Sequence, residues 1–250
     1  MKLTKTLLVG AILAGMGGVA AAETSVTLYG LIDLGVTYQS GKVGRTDANR
    51  GQYGSSSQSR FGMNSGVQNG SRFGLRGVED LGDGLQAVFV LENGFNANNG
   101  TRGQGDRLFG RQATIGLRHA EWGQLDLGRQ TNIASKYFSA IDPFATEFMT
   151  AGMGTAFSAA NNVRYDNMVM FQTANYSGFQ GGIGYSFSTD DVEGPTAFKT
   201  KENNRAITAG IRYVEGPLNV AFSYDRQQRK PNQPRPQQFI IGASYDFEVV

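Results

Sequence analysis

A period of two runs through nearly the whole chain. In residues 26–38, Val26, Leu28, Ile32, Leu34 and Val36 fall on one face, while Thr27, Asp33 and Thr37 fall on the other. Residues 85–95 repeat the pattern, with Leu85, Ala87, Phe89, Leu91 and Phe95 opposite Gln86 and Glu92. It returns in Tyr165, Val169 and Phe171, in Ile207, Ala209, Ile211 and Tyr213, in Leu218, Val220, Phe222 and Tyr224, and in Phe239, Ile241, Ala243 and Tyr245. Counted this way, the chain holds ten strands, with 107–118 and 124–128 forming one hairpin. Their connections alternate: tight Gly-bearing turns at 79–84, 119–123, 177–178 and 215–217, and long polar stretches between them, including 39–58, 95–105, 189–204 and 227–236. Several segments exceed the ~5 to 6 residues typical of globular strands. Long strands with short turns at one end and long loops at the other describe an antiparallel transmembrane β-barrel, lipid outside and a polar lumen inside. A soluble β-sandwich gives no reason for every second loop to be long.

Composition enters as a check on that reading. Glycine is 35 of 250 residues, aromatics are 11%, and mean hydropathy is −0.31. No stretch after the N-terminus approaches the ~20 apolar residues of a membrane helix. A barrel reconciles membrane residence with this polar average, because its lumen dilutes its lipid face.

Residues 1–22 have a basic head (Lys2, Lys5), an apolar run from Leu7 to Val19, and Ala20, Ala21 and Ala22 before Glu23. This pattern predicts a cleaved export signal, leaving 23–250 as one barrel domain bound for the bacterial outer membrane. Without the signal, 21 basic residues face 21 acidic ones. A nucleic-acid partner is thereby disfavoured, since phosphate-backbone affinity comes from excess Lys and Arg. Zero cysteines exclude disulfides, thiolate metal sites and thiol catalysis.

One stretch breaks the rhythm. Residues 131–161, TNIASKYFSAIDPFATEFMTAGMGTAFSAAN, are too long for an ordinary connection. Ile133, Tyr137, Phe138, Ile141, Phe144 and Phe148 argue that the insert packs against something. We expect it to fold into the barrel lumen and narrow it, with Asp142 and Glu147 facing arginines on the wall.

Three stretches carry a family resemblance: SVTLYGLIDLGV (25–36), SRFGLRGVEDLGDGLQAVFVLENGF (71–95) and LFGRQATIGLRHAEWGQLDLGRQ (108–130). The chain resembles the general Gram-negative porins, specifically the β-proteobacterial branch with Neisseria- and Bordetella-type members. That resemblance implies a sixteen-stranded barrel assembled as a homotrimer, with the third external loop folded inward as a constriction. It implies constriction-wall roles for Arg72 and Arg111, and for Arg164 as a third, opposed by Asp142 and Glu147. Arg60 and Arg76 are further wall residues on parity and proximity. The family's Pro-Glu-Phe-Gly-Gly loop turn is absent, and the chain ends Phe247-Glu248-Val249-Val250 where the family ends on an aromatic residue. Ten strands against sixteen reads as a truncated or partial sequence short of roughly six strands, or ~100 residues at this spacing.

The implied function is a water-filled channel for passive diffusion of small hydrophilic solutes and ions, surrounded by outer-membrane lipid and lipopolysaccharide, with no cofactor and no metal. A structural or adhesive barrel without pore activity is the alternative. An enzyme is disfavoured: His119 is the only histidine, in a short turn on the predicted periplasmic side, and no nucleophile elbow or metal-ligand spacing occurs.

Overall fold

The computed structural model describes residues 25–46, 53–148, 151–155, 163–189, 204–229 and 233–248. The expected export signal at 1–22 lies outside them. The strands are β1 (Ser25–Leu31), β2 (Leu34–Thr46), β3 (Tyr53–Ser65), β4 (Arg72–Gly82), β5 (Leu85–Gly94), β6 (Gln112–His119), β7 (Gly123–Thr131), β8 (Arg164–Thr173), β9 (Phe179–Ser186), β10 (Arg205–Glu215), β11 (Leu218–Gln228) and β12 (Gln237–Tyr245). Ten of them form one antiparallel sheet in the order β1-β4-β5-β6-β7-β8-β9-β10-β11-β12, and β2 pairs with β3 in a separate ribbon. Among the described residues β1 and β12 are the sheet's two edges.

Register turns the alternation of single strands into two continuous faces. Val26, Gly77, Phe89, Ile115, Leu127, Val169, Tyr185 and Ile207 are successive cross-strand partners, so one row across eight strands is apolar. This face is open: Ile115 is 62% exposed and Ile241 77%. So large an apolar surface requires an apolar surrounding, and an antiparallel sheet with one such face is what a bilayer selects. The next row reads Arg76, Val90, Thr114, Gly128, Met168, Ser186, Ala206 and Gln227, and it belongs to the opposite, polar face.

Four local expectations are corrected. The strand read at 26–38 breaks at Ile32-Asp33 into β1 and β2. Residues 39–58, read as a loop, lie largely in the β2–β3 ribbon, where Gln39 pairs with Arg60 and Ser40 with Ser59. Backbone pairing needs no apolar side chains, so a polar composition concealed it. The strand expected from Arg107 starts at Gln112, with 107–111 still in the preceding loop. Finally, Tyr165 was grouped with Val169 and Phe171 on the outer face, yet it is buried in the cluster under the insert. The register slips between Gly128/Gln130 on β7 and Tyr165/Met168 on β8, where Asn167 adopts a φ of +49°. A bulge of this kind exchanges the two faces for every residue beyond it.

Candidate functional site

The insert leaves β7 at Thr131 and starts with a short helix, α1 (Ile133–Phe138). Asn132 caps it, its side-chain oxygen accepting from the Ser135 N–H (3.1 Å). The Asn132 amide also donates to Asp225 Oδ1 on β11 (2.8 Å), and the Ile133 N–H donates to Thr208 Oγ1 on β10 (2.9 Å). Both partners lie on the polar face of the sheet. Below the helix, Ile133, Ala134, Tyr137 and Phe138 join Met168, Met170, Ala206, Ala221 and Ile240 in one buried cluster. Burying Ile133, Tyr137 and Phe138 contributes on the order of 5 kcal/mol.

Glycines make room for this packing. A Cβ at Gly210 would lie 2.7 Å from Ile133 Cγ2, one at Gly182 2.5 Å from Ile133 Cδ1, and one at Gly242 2.9 Å from Phe138 Cε1. The polar face is therefore flattened where α1 rests. Arg212 completes the seat, its guanidinium 5.0 Å from the centre of the Tyr137 ring.

Past the helix, Asp142 folds the insert back on itself. Its carboxylate accepts from the N–H groups of Phe144 (2.9 Å), Thr146 (3.1 Å) and Met153 (2.6 Å). Ala145 and Thr146 carry positive φ angles of 50° and 58° in the turn so formed. The turn delivers Glu147 across the face to β4 and β6. Glu147 Oε2 is 3.3 Å from Arg72 Nη2, Oε1 is 3.1 Å from Arg111 Nη2, and the Gly70 N–H donates to Oε2 (3.2 Å). Arg111 is shared: its Nε lies 2.6 Å from Glu92 Oε1, while Glu92 Oε2 accepts from the Tyr29 hydroxyl (2.9 Å). Arg164 Nε donates to the Arg111 carbonyl (2.9 Å).

Next to this network, Asp166 binds Arg107 Nη2 (2.9 Å) and Arg129 Nη1 (2.5 Å), and Arg129 Nε donates to the Gly110 carbonyl (2.7 Å). The assembly is largely buried: side-chain exposure is 6% for Arg111, 13% for Glu147 and 18% for Arg72. Burial pushes the Glu147 carboxyl up, but the Arg111 and Arg72 guanidiniums and the Gly70 N–H outweigh it and hold the group below its ordinary value. Glu147 thus stays charged beside its arginines.

Of the residues expected here, Arg72, Arg111 and Glu147 meet directly and Arg164 joins through the Arg111 backbone. Asp142 does not face the wall; it is buried within the insert and spends its carboxylate on backbone donors. Arg60 projects from β3 and reaches Asn64 Oδ1 (3.5 Å), and Arg76 lies over the Tyr29 ring, 5.6 Å from its centre, so neither enters the network. Sequence reasoning missed Glu92, Arg129, Arg107 and Asp166 as partners. Parity alone pointed to Glu92, which alternation sets on the polar face.

An exposed apolar face backed by a polar face that carries an inserted loop and a band of paired charges is a channel-wall arrangement, and the family comparison agrees. The Gram-negative porin family profile matches residues 9–250. The chain belongs to that family. It is 58% identical over 258 residues to an outer membrane porin protein of Bordetella pertussis, covering 98% of this chain and 67% of that protein. It is 31% identical over 253 residues to outer membrane porin protein 32 of Delftia acidovorans, covering 98% of this chain and 66% of that one. Among solved structures, an anion-selective porin from Comamonas acidovorans superposes with a TM-score of 0.69 at 29% identity, over 90% of this chain and 64% of that one. The chain thus spans about two thirds of the length of these porins, and its strands are those of an outer-membrane β-barrel.

Proposed function

We propose that the chain supplies wall strands and the constriction of a water-filled outer-membrane channel through which small hydrophilic solutes and ions diffuse passively. In this reading residues 131–161 are an inward-folded loop, the apolar face meets lipid and lipopolysaccharide, and the complete protein works as a homotrimer. The observation that carries it is Glu147, brought by an insert lying on the polar face to within 3.3 Å of Arg72 and 3.1 Å of Arg111. A charge band beside a lumen acts on whatever passes, because fixed charges in a confined aqueous path set which ions enter easily. Three arginines, Arg72, Arg111 and Arg164, face two acids, Glu92 and Glu147, so the band is net positive and favours anions. The Comamonas porin is described as anion-selective, which points the same way.

The test is electrical. Full-length protein refolded into planar bilayers should give discrete conductance steps and a reversal potential on the anion-selective side under a salt gradient. Absence of steps overturns the channel reading in favour of an adhesive or structural barrel.

A further inference from the structure

Two strands of the wall break at the same height. Leu31 pairs with Arg72 and Leu34 with Ser65, so residues 32–33 on one side stand opposite residues 66–71 on the other. The surplus chain is gathered by one residue, Asp33. Its N–H donates to Ser71 Oγ (3.0 Å), and its carbonyl accepts from the Gly66 N–H (2.9 Å) and the Ser71 hydroxyl (3.0 Å). Its carboxylate takes three further backbone donors: Val67 (3.0 Å), Gln68 (2.9 Å) and Asn69 (2.7 Å). Gly66 turns into the loop with a φ of +72°, a conformation that glycine adopts freely.

The loop so gathered ends on Gly70, which touches all three principal charges. Its N–H donates to Glu147 Oε2 (3.2 Å) and its carbonyl accepts from Arg72 Nε (2.9 Å). A Cβ there would stand 2.8 Å from Arg111 Nη1. Gly70 is therefore a docking point for the tip of the insert, and it exists only where the six-residue excursion holds its shape. Three charge-assisted bonds from successive N–H groups to one carboxylate supply that shape, in the way that strand irregularities elsewhere re-aim groups toward functional sites.

We infer that Asp33 is a positioning residue for permeation: by clamping residues 66–71 it fixes Gly70, and Gly70 fixes Glu147 against Arg72 and Arg111. The inference rests on the channel reading above. Asp33 acts at a distance, through the loop.

The experiment measures reversal potentials under a salt gradient in planar bilayers, using the full-length protein and its Asp33→Ala, Asp33→Asn, Glu147→Gln and Asp33→Ala/Glu147→Gln variants, with Asp33→Asn also combined with Glu147→Gln. Asparagine keeps one acceptor oxygen where aspartate accepts from the Val67, Gln68 and Asn69 N–H groups. Asp33→Ala should raise the anion-to-cation permeability ratio in the direction of Glu147→Gln, by at least a third as much, and Asp33→Asn by less. The double variants should show no shift beyond Glu147→Gln alone, the non-additivity expected when one residue acts through another. If Asp33→Ala fails to assemble, Asp33→Asn and its double variant decide. A shift with Glu147→Gln but none with either Asp33 variant overturns the positioning role and leaves the channel reading standing. An additive double variant does the same. No shift with Glu147→Gln in a conducting protein overturns the positioning role together with the part given to Glu147, whereas absence of conductance steps removes the channel reading itself.

Discussion

Neutralising Glu147 is the sharpest perturbation of the charge band. Glu147→Gln keeps the shape and one acceptor oxygen while removing the charge that faces Arg72 and Arg111 at 3.3 and 3.1 Å. For an ion passing about 6 Å away, a unit charge contributes roughly 0.7 kcal/mol in bulk water and about 2.8 kcal/mol at an effective dielectric of 20. At 0.15 M salt, screening over that distance about halves the lower figure, to ~0.3 kcal/mol. Losing the carboxylate favours anions and disfavours cations by that amount each, a difference of about 0.7 kcal/mol, so the permeability ratio should move toward anions about threefold or more. The assay is the reversal potential of the full-length channel, with Asp142→Asn measured beside it. That control removes the same formal charge from a site 6% exposed and committed to backbone donors, and it should shift the ratio less. A change below about 1.5-fold for Glu147→Gln, or one toward cations, refutes the electrostatic reasoning. Equal shifts for the two variants in equally stable proteins refute the assignment of different roles to the two acids.

Asp142→Ala leaves the Phe144, Thr146 and Met153 N–H groups without their acceptor and should cost about 2–3 kcal/mol, read as earlier proteolytic cleavage within 142–153 or a lower temperature of unfolding. Gly242→Val should cost about 1–3 kcal/mol by driving a side chain into Phe138, with noisier and larger conductance as α1 lifts; removing the insert in the same variant should abolish the cost. The pH response follows from Glu147. Its folded value lies below the ordinary 4.5, so its charge helps hold the insert above that pH and is lost only as pH falls through the depressed value. The movement of selectivity toward anions on acidification should be centred below 4.5, and a transition centred above 4.5 in reversal-potential titrations contradicts the pairing.

The two faces were legible because register and alternation share one period: every strand with a clean alternation keeps its predicted side. Legibility failed where that period is interrupted. Tyr165 looked outward because Asn167 leaves no mark in the pattern, although Asn tolerates the positive φ that the bulge needs. The dock of α1 left a signal that went unread. Met168, Val169, Met170 and Phe171 run without alternation, which means a strand covered on both faces, and Met168 and Met170 are buried beneath the helix. Asp142 and Glu147 could not be told apart by composition. Both are acids in one loop, and only the folded turn separates the one bonded to backbone from the one aimed at guanidiniums.

The arginines show why the charge band resisted a reading by parity. Arg72 is the first residue of β4, Arg164 is the first residue of β8, and Arg111 stands one position before β6 begins. None is governed by the alternation of a strand interior. Arg111 falls in the same phase as the outward-facing Ile115 and Leu117, yet its side chain reaches Glu92 and Glu147 on the polar face. It can do so because residue 111 is still loop, its backbone tied to β5 through its N–H to the Glu92 carbonyl (3.1 Å). A strand interior fixes a side chain's face through the pleat, whereas a strand entry frees it to turn toward a partner. Placing all three arginines at entries, beside the 66–71 excursion and the Asn167 bulge, gathers guanidiniums from three strands at one level without forcing like charges into adjacent ladder positions. The regular strands supply the wall, and its irregular ends supply the charge band.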